Sequence, residues 1–317
     1  SVLMTSLIEA ASRGKEVTVV LELMARFDEE TNMQWASRLE AVGAHVVYGV
    51  VGHKTHAKMA MVVRREGQSL VRYVHLGTGN YHPRTAKVYE DFGLLTAHPG
   101  ICADVHEVFR RLTGLGQAEH LRHLAQAPFT LMPMVFDSIA REISNARSGK
   151  KALIRAKLNA LIDPEVIEAL YAASQAGVMV ELIIRGVCAL RPGVKGLSEN
   201  IRVCSVIGRF LEHSRIYYFY NNDNEEVWLS SADWMQRNLR RRVEIAFPVL
   251  EAGAKKRVIN EGLLIHLTHN PSAWEMDAKG NYQCEALNAQ PDHSEIVRGS
   301  QSESQDELLK DLSDFDR

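Results

Sequence analysis

Hydrophobic residues in this chain fall into short runs with two periods, which predict alternating helices and strands. Val2 to Ala11 carries apolar residues at Leu3, Leu7, Ile8 and Ala11, a helical spacing, and Gly14 stands where a helix C-cap is expected. Val17 to Leu23 is a β-branched apolar run read as a strand, and it delivers Arg26 just past its C-terminal end. In open α/β sheets that end is the ligand-binding edge. Thr31 to Ala41 reads as a helix closed by Gly43, and Ala44 to Val50 as the next strand. Met59 to Arg64 and Ser69 to Leu76 read as strands around the turn Glu66-Gly67-Gln68, and Phe92 to Thr96 as another. Residues 101 to 126 read as a helix, with the break between two halves near Ala127-Pro128.

The same order then returns. Asp163-Pro164 is an N-cap with proline at the first helical position, and the helix Glu165 to Gln175 stops before Gly177. Val178 to Ile184 is a strand ending at Arg185, as the first-half strand ends near Arg26. His213 follows Arg185 by twenty-eight residues, and His56 follows Arg26 by thirty. Each histidine heads an apolar run, Met59 to Val63 and Ile216 to Tyr220. Each run leads through a polar turn and a further strand to a small-residue segment, Gly77-Thr78-Gly79-Asn80-Tyr81 or Ser230-Ser231-Ala232-Asp233-Trp234. Matching polar residues at strand ends predict a duplicated α/β fold, two domains facing each other with both histidines at the seam. The boundaries expected are 1–127 and 128–270, with 271–317 a partly flexible tail. Within that tail Trp274 to Ala286 reads as a hairpin around Lys279-Gly280-Asn281, Asp292 to Glu303 as polar and mobile, and Asp306 to Phe315 as a short amphipathic helix.

Composition narrows the class of protein. At 317 residues the chain suffices for two domains, and 46% hydrophobic with 24% charged residues is a globular balance. No apolar stretch approaches the roughly 18 residues that span a membrane, and no signal peptide is read, which predicts a cytoplasmic protein or one peripheral to the membrane. The net charge of −2 gives no global attraction to polyanions, so an anionic ligand must be held by local Lys and Arg, and nucleic acid is not expected as a partner. Cys102, Cys188, Cys204 and Cys284 form no Cys-x-x-Cys pair, which fits a reducing compartment and argues against structural zinc.

The chemistry gathers at Thr55-His56-Ala57-Lys58 and Glu212-His213-Ser214-Arg215. If the run is a strand, His56 and Lys58 share one face, as do His213 and Arg215. Imidazole is a nucleophile near neutral pH, and the neighbouring cation offsets charge on phosphoryl oxygens. Glycines in the 77–81 turn permit positive φ and close backbone approach, so its amides and Asn80 face an anion or orient a histidine. Asn80, Asp233 and Glu244 are the candidates for fixing an imidazole tautomer, and Arg242 shares a strand face with Glu244 at the seam.

Paired His-x-Lys motifs, each with a small-residue turn about twenty residues later, resemble the phospholipase D superfamily, whose hydrolases place Asp where this chain has Val63 and Tyr220. The chain is more similar to the polyphosphate kinases of the histidine-phosphorylating class, in their C-terminal catalytic half, over residues 1 to about 270. The resemblance rests on Ala25-Arg26-Phe27-Asp28-Glu29-Glu30, Thr55-His56-Ala57-Lys58 and His75-Leu76-Gly77-Thr78-Gly79-Asn80-Tyr81, and on Ile184-Arg185-Gly186, Leu211-Glu212-His213 and Leu229-Ser230-Ser231-Ala232-Asp233-Trp234-Met235. It implies two phospholipase D-like α/β/α domains with the active site at their interface. His56 would take the phosphoryl group, with His213 the second catalytic histidine and Lys58 and Arg215 beside them. Tyr89, Arg185 and His213 would contact nucleotide, and Asn80, Asp233 and Arg242 would serve the phosphate site. Arg26 would grip a phosphate that Mg²⁺ also touches, since an arginine cannot itself ligate a cation. The implied partners are ATP or ADP, inorganic polyphosphate, the N-terminal and head domains that this chain lacks, and further copies of the longer enzyme. A phospholipase D-like phosphodiesterase and a non-catalytic polyanion-binding fragment remain the alternatives.

Overall fold

The computed structural model describes residues 2–22, 29–49, 52–114, 121–268, 273–284 and 303–315. The first half opens with α1 (Val2–Ser12), β1 (Thr18–Leu21), α2 (Glu29–Glu40) and β2 (His45–Tyr48). β1 and β2 pair in parallel, and α1 and α2 close on Ala11, Val17, Leu39 and Ala44 as a small core of their own. After a two-residue strand, β3 (Lys54–Thr55), come the long antiparallel strands β4 (Lys58–Glu66) and β5 (Ser69–Gly77), the short β6 (Tyr89–Glu90), β7 (Gly93–Thr96) and helix α3 (Pro99–Leu112).

The helix expected over 101 to 126 ends much earlier. Thr113 caps α3 and Gly114 turns the chain at φ +74°. Asp104, buried within α3, accepts the backbone N–H groups of Arg122, His123 and Leu124 at 2.9, 2.6 and 2.8 Å. A helix cannot continue through residues whose amides are bonded sideways to it. The chain instead forms β8 (Ala125–Ala127), which pairs with residues 244–246 of the second half.

The second half contains α4 (Leu131–Arg147), β9 (Leu153–Leu158), α5 (Pro164–Gln175), β10 (Met179–Ile184), β11 (Ile201–Ser205), β12 (Leu211–Glu212), β13 (Arg215–Phe219), β14 (Glu226–Ser230), α6 (Gln236–Arg240) and β15 (Arg242–Pro248). Asp163 caps α5 through the N–H groups of Glu165 and Val166 at 3.1 and 3.2 Å, as its sequence predicts. α7 (Ala252–Ile259) runs through a π-helical turn, Asn260–Leu264, into α8 (Ile265–Leu267), and β16 (Trp274–Met276) with β17 (Tyr282–Cys284) forms the expected hairpin, Gly280 lying at φ +87°. Helix α9 (Glu303–Phe315) comes last. The stretch Asp292 to Glu303, read as mobile, lies outside the described residues except for Glu303, which opens α9.

β9, β10 and β11 are parallel, while β13, β14 and β15 continue the same sheet antiparallel. β1 and β2 followed by β4, β5 and β7 repeat that order of parallel then antiparallel strands, in two separate sheets, so the α/β duplication read from the sequence is present. Strand β13 shows how a two-sided strand is written: Tyr217 and Phe219 face one core, Ile216 and Tyr218 the other, and all are buried. The second of these cores is shared between the halves, because Val74, Leu76, Ile101 and Val105 pack in it with Ile216, Leu229, Ile245 and Phe247. Burial of that surface, at about 25 cal/mol per Å² of apolar area, favours one fixed arrangement of the halves. No helix among the described residues is long and apolar enough to cross a membrane.

Candidate active site

Each half extends a short arm into the other, and each arm ends in a histidine. β3 pairs in parallel with the start of β15, Lys54 opposite Arg242 and Thr55 opposite Val243. β12 pairs in parallel with β6, Leu211 opposite Tyr89 and Glu212 opposite Glu90. The next residue of each register is therefore His56 opposite Glu244, and His213 opposite Asp91. The backbone crossing is the same in both arms. His56 and Ala57 donate their N–H groups to the Val243 carbonyl at 2.9 and 3.1 Å, and His213 and Ser214 donate theirs to the Glu90 carbonyl at 3.2 and 3.1 Å.

Side chains follow the register. His56 Nδ1 lies 2.8 Å from Glu244 Oε2, and His213 Nδ1 lies 2.9 Å from both oxygens of Asp91. An ionised carboxylate only accepts, so each Nδ1 carries the proton and each Nε2 keeps its lone pair. Both carboxylates are held from behind. Glu244 is fully buried and accepts from Ser231 Oγ at 2.5 Å and Asn238 Nδ2 at 2.6 Å. Asp91 accepts from Thr78 Oγ1 at 2.7 Å, and Thr78 is itself tied to Phe92 through both backbone and hydroxyl. Burial lowers the affinity of His56 for a second proton; Glu244 opposes that and Lys58 adds to it. Burial does the same at His213, opposed by Asp91 and reinforced by Arg215 and Lys58. Both rings are thus neutral at pH 7.

The two Nε2 atoms differ. Arg215 Nη1 donates to His213 Nε2 at 3.2 Å, whereas no described side chain hydrogen-bonds His56 Nε2. Arg215 is itself clasped by Asp233 through Nε at 3.3 Å and Nη2 at 3.0 Å. Asp233 Oδ1 also accepts the N–H groups of Asn159 and Ala160 at 2.7 and 3.2 Å. Asn159 links onward, its Oδ1 accepting from Arg185 Nε at 2.7 Å and its Nδ2 donating to the His213 carbonyl at 3.0 Å. Arg242 Nη1 stands 4.0 Å from Glu244 Oε1, and the Tyr89 ring lies 4.9 Å from the His213 ring, tilted by 47°. Lys58 is buried, its Nζ has no hydrogen-bond partner among the described residues, and it lies in the fields of Glu244, Asp91, Arg215 and Arg242. Burial pulls its pKa down from 10.5 to about 7.

His56, Lys58, His213, Arg215, Arg185, Tyr89, Asp233 and Arg242 converge on one junction, while Arg26 lies outside the described residues. Asn80 is exposed on its turn and fixes neither imidazole. Asp233 holds Arg215 rather than a histidine, because Arg215 fills the space between them. Of the three candidates for orienting an imidazole, only Glu244 does so. The glycines of the 77–81 turn do not adopt positive φ; Gly79 is needed because Asp91 packs where its Cβ would be. Asp91 and Asn159 escaped the sequence reading. For Asp91 a signal exists, since it follows Asn80 by eleven residues as Glu244 follows Asp233 by eleven.

Among the described residues no group of three or more His, Cys, Asp or Glu side chains is placed to hold a metal ion. The carboxylates of Asp91, Asp233 and Glu244 are engaged by His213, Arg215 and His56, so these residues do not fit a protein-built magnesium cage.

Duplicated α/β halves that exchange arms, each presenting a carboxylate-bound histidine at the seam, define a paired-histidine fold. Residues 1–118 match polyphosphate kinase C-terminal domain 1 and residues 124–295 match polyphosphate kinase C-terminal domain 2, so the chain belongs to the polyphosphate kinase family. Curated relatives named polyphosphate kinase are 65% identical in Burkholderia lata and 62% in Paraburkholderia phytofirmans, each over 287 residues and 89% of this chain. The chain spans only 42% of the length of these relatives. The crystal structure of polyphosphate kinase from Porphyromonas gingivalis superimposes with a TM-score of 0.87 at 36% identity, covering 99% of this chain and 46% of that one.

Proposed function

We propose that this chain forms the phosphoryl-transfer centre of an ATP:polyphosphate phosphotransferase, with His56 as the residue that takes the phosphoryl group. The observation that carries the assignment is the asymmetry at Nε2: Arg215 donates to His213, while the lone pair of His56 has no described side-chain donor. In this reading neutral His56 Nε2 attacks the terminal phosphorus of ATP in line. The P–N bond forms as the P–O bond to ADP breaks, and buried Glu244 stabilises the positive charge that the imidazole acquires. His213, oriented by Asp91 and neutral at Nε2, stabilises the transition state together with the Arg215 guanidinium that donates to it. Lys58, Arg215, Arg185 and Arg242 spread the charge of the transferring group, with Arg26 as a further phosphate contact. Tyr89 and Arg185 take the nucleotide beside His213, and exposed Asn80 serves the outer phosphate site. Magnesium would arrive with the nucleotide rather than in a cage of these carboxylates, and would supply neutralisation of phosphate charge.

In the second half-reaction the terminal oxygen of polyphosphate attacks the phosphohistidine, a phosphoanhydride forms, and the electron pair returns to Nε2. The bonds exchanged are both high in energy, so the reaction runs in either direction. Residues 1–127 and 128–270 act as the two catalytic units. Processive synthesis and subunit assembly belong to the longer protein, whose further segments this chain does not span.

Incubation with γ-labelled ATP and Mg²⁺ tests the reading. Label on His56 that is lost in acid, kept in alkali and absent from His56→Ala is expected. Turnover of a phosphodiester without nucleotide and without such label would establish the phosphodiesterase instead, and polyanion binding with neither reaction would leave a binding fragment.

A further inference from the structure

The arm that carries His213 is held by more than the strand it joins. Gln305, on α9, is buried and pairs with Phe210 as another strand would: Phe210 N–H donates to Gln305 Oε1 at 2.9 Å, and Gln305 Nε2 donates to the Phe210 carbonyl at 2.8 Å. The same Nε2 donates to Glu212 Oε1 at 2.6 Å. Glu212 also ion-pairs with Lys157, which bridges to Glu90 of the opposite arm at 2.8 Å. Ser214 Oγ adds a hydrogen bond to Glu90 Oε2 at 2.8 Å. His266 closes the other side of the cluster, 3.1 Å from Ser304 Oγ and 3.4 Å from Glu212 Oε2. Glu90 and Glu212 face each other in the β6–β12 register, one residue before Asp91 and His213.

We infer that α9 is a latch on the catalytic arm and that Gln305 is a positioning residue, fixing Phe210 to Glu212 so that His213 meets Asp91. The geometry supplies the reason. β12 is two residues long, and a two-residue parallel pairing has too few hydrogen bonds to hold a register alone. Gln305 adds two backbone bonds in the strand direction, and its third bond orients the carboxylate that Lys157 joins to the opposite arm. The inference rests on the proposed role of His213, but its deciding tests, ring titration and amide exchange, do not depend on phosphoryl transfer.

The experiment uses the whole chain with Gln305→Met, which keeps the side-chain volume and removes all three hydrogen bonds, beside Ser313→Ala, exposed on the same helix. Release of the arm would expose the ring, and burial is the larger cause of its lowered pKa, so NMR titration of the ring resonances is expected to show His213 moving toward an ordinary histidine pKa in Gln305→Met and unchanged in Ser313→Ala. In transfer assays kcat is expected to fall about 10-fold with KM for ATP unchanged, the pattern of a misplaced catalytic group. An unaltered His213 titration in folded Gln305→Met would overturn the proposal. Should that variant fail to fold, amide exchange on the wild-type protein decides: the Phe210 N–H bonds to Gln305, so its protection supports the latch and rapid exchange refutes it. Failure of the wild-type chain to take label from ATP would refute the phosphotransferase reading alone, leaving the titration and exchange results to judge the latch.

Discussion

Gly79 and Asp91 meet so closely that a Cβ on Gly79 would stand 2.1 Å from Asp91 Oδ2. The glycine turn of the first half thus serves the histidine of the second, because Asp91 is the carboxylate on His213. Gly79→Ala is expected to push Asp91 off His213 and lower phosphoryl transfer about 10- to 100-fold, the usual effect of losing a group that orients a functional histidine. Gly79 is half-buried beside exposed Asn80 and lies outside the apolar cores, so the thermal unfolding midpoint should move by only a few degrees. Kinetics beside a melting curve check this, and a folded Gly79→Ala with full activity would contradict it.

Glu244 is buried and committed to three donors, His56, Ser231 and Asn238. Glu244→Gln would place an amide against donors and remove the charge that, in the proposed reaction, supports phosphohistidine. Labelling of His56 by ATP is expected to slow about 10²- to 10³-fold, comparable to loss of one preorganised electrostatic contact. Single-turnover quench measurements read this directly.

His56 is held below the ordinary histidine pKa of 6.5, first by burial and then by Lys58, against Glu244. Its nucleophilic form is therefore the main one at pH 7, and the labelling rate is expected to fall to half only below pH 6.5. For folding the sign is that of a group buried neutral: the unfolded state takes the proton first, so stability falls as pH drops through 6.5. A labelling rate already halved at pH 6.5 or above would contradict the assignment.

Lys58 has a folded pKa of about 7 against 10.5 when unfolded. The unfolded chain therefore binds more protons between these values, and stability rises with pH across that window. Lys58→Met is expected to remove this slope and to gain up to about 4 kcal/mol at pH 7, while losing phosphoryl transfer. Denaturant titrations of both proteins at pH 7 and pH 10 check it. An anion at the seam should restore the lysine's charge, so triphosphate binding should take up protons near pH 8, which calorimetry in buffers of different ionisation enthalpy measures.

Much of this site was legible because its parts are local. A strand's period of two, a glycine after a helix and a proline behind an aspartate are fixed by neighbouring backbone, so the strands around His56 and His213 and the start of α5 could be read directly. Repetition then singled out Lys58, Arg215, Arg185 and Asp233, since a second copy in the same order marks residues that either copy alone would leave ambiguous. The end of α3 was also written, in Thr113-Gly114, but the long amphipathic pattern around it obscured the stop.

Tertiary structure alone decided which carboxylate serves which histidine. Asp91 lies 122 residues from His213, and Glu244 lies 188 from His56. Neither pairing has a local periodicity to reveal it. They arise because two-residue strands cross between the halves in a register that the shared apolar core of Leu76, Ile216 and Phe247 imposes. The sequence determined that there would be two histidines at strand ends. Their partners, the separate duties of Asp91 and Asp233, and the docking of Gln305 came from packing, because a carboxylate's role depends on the nearest donor in space.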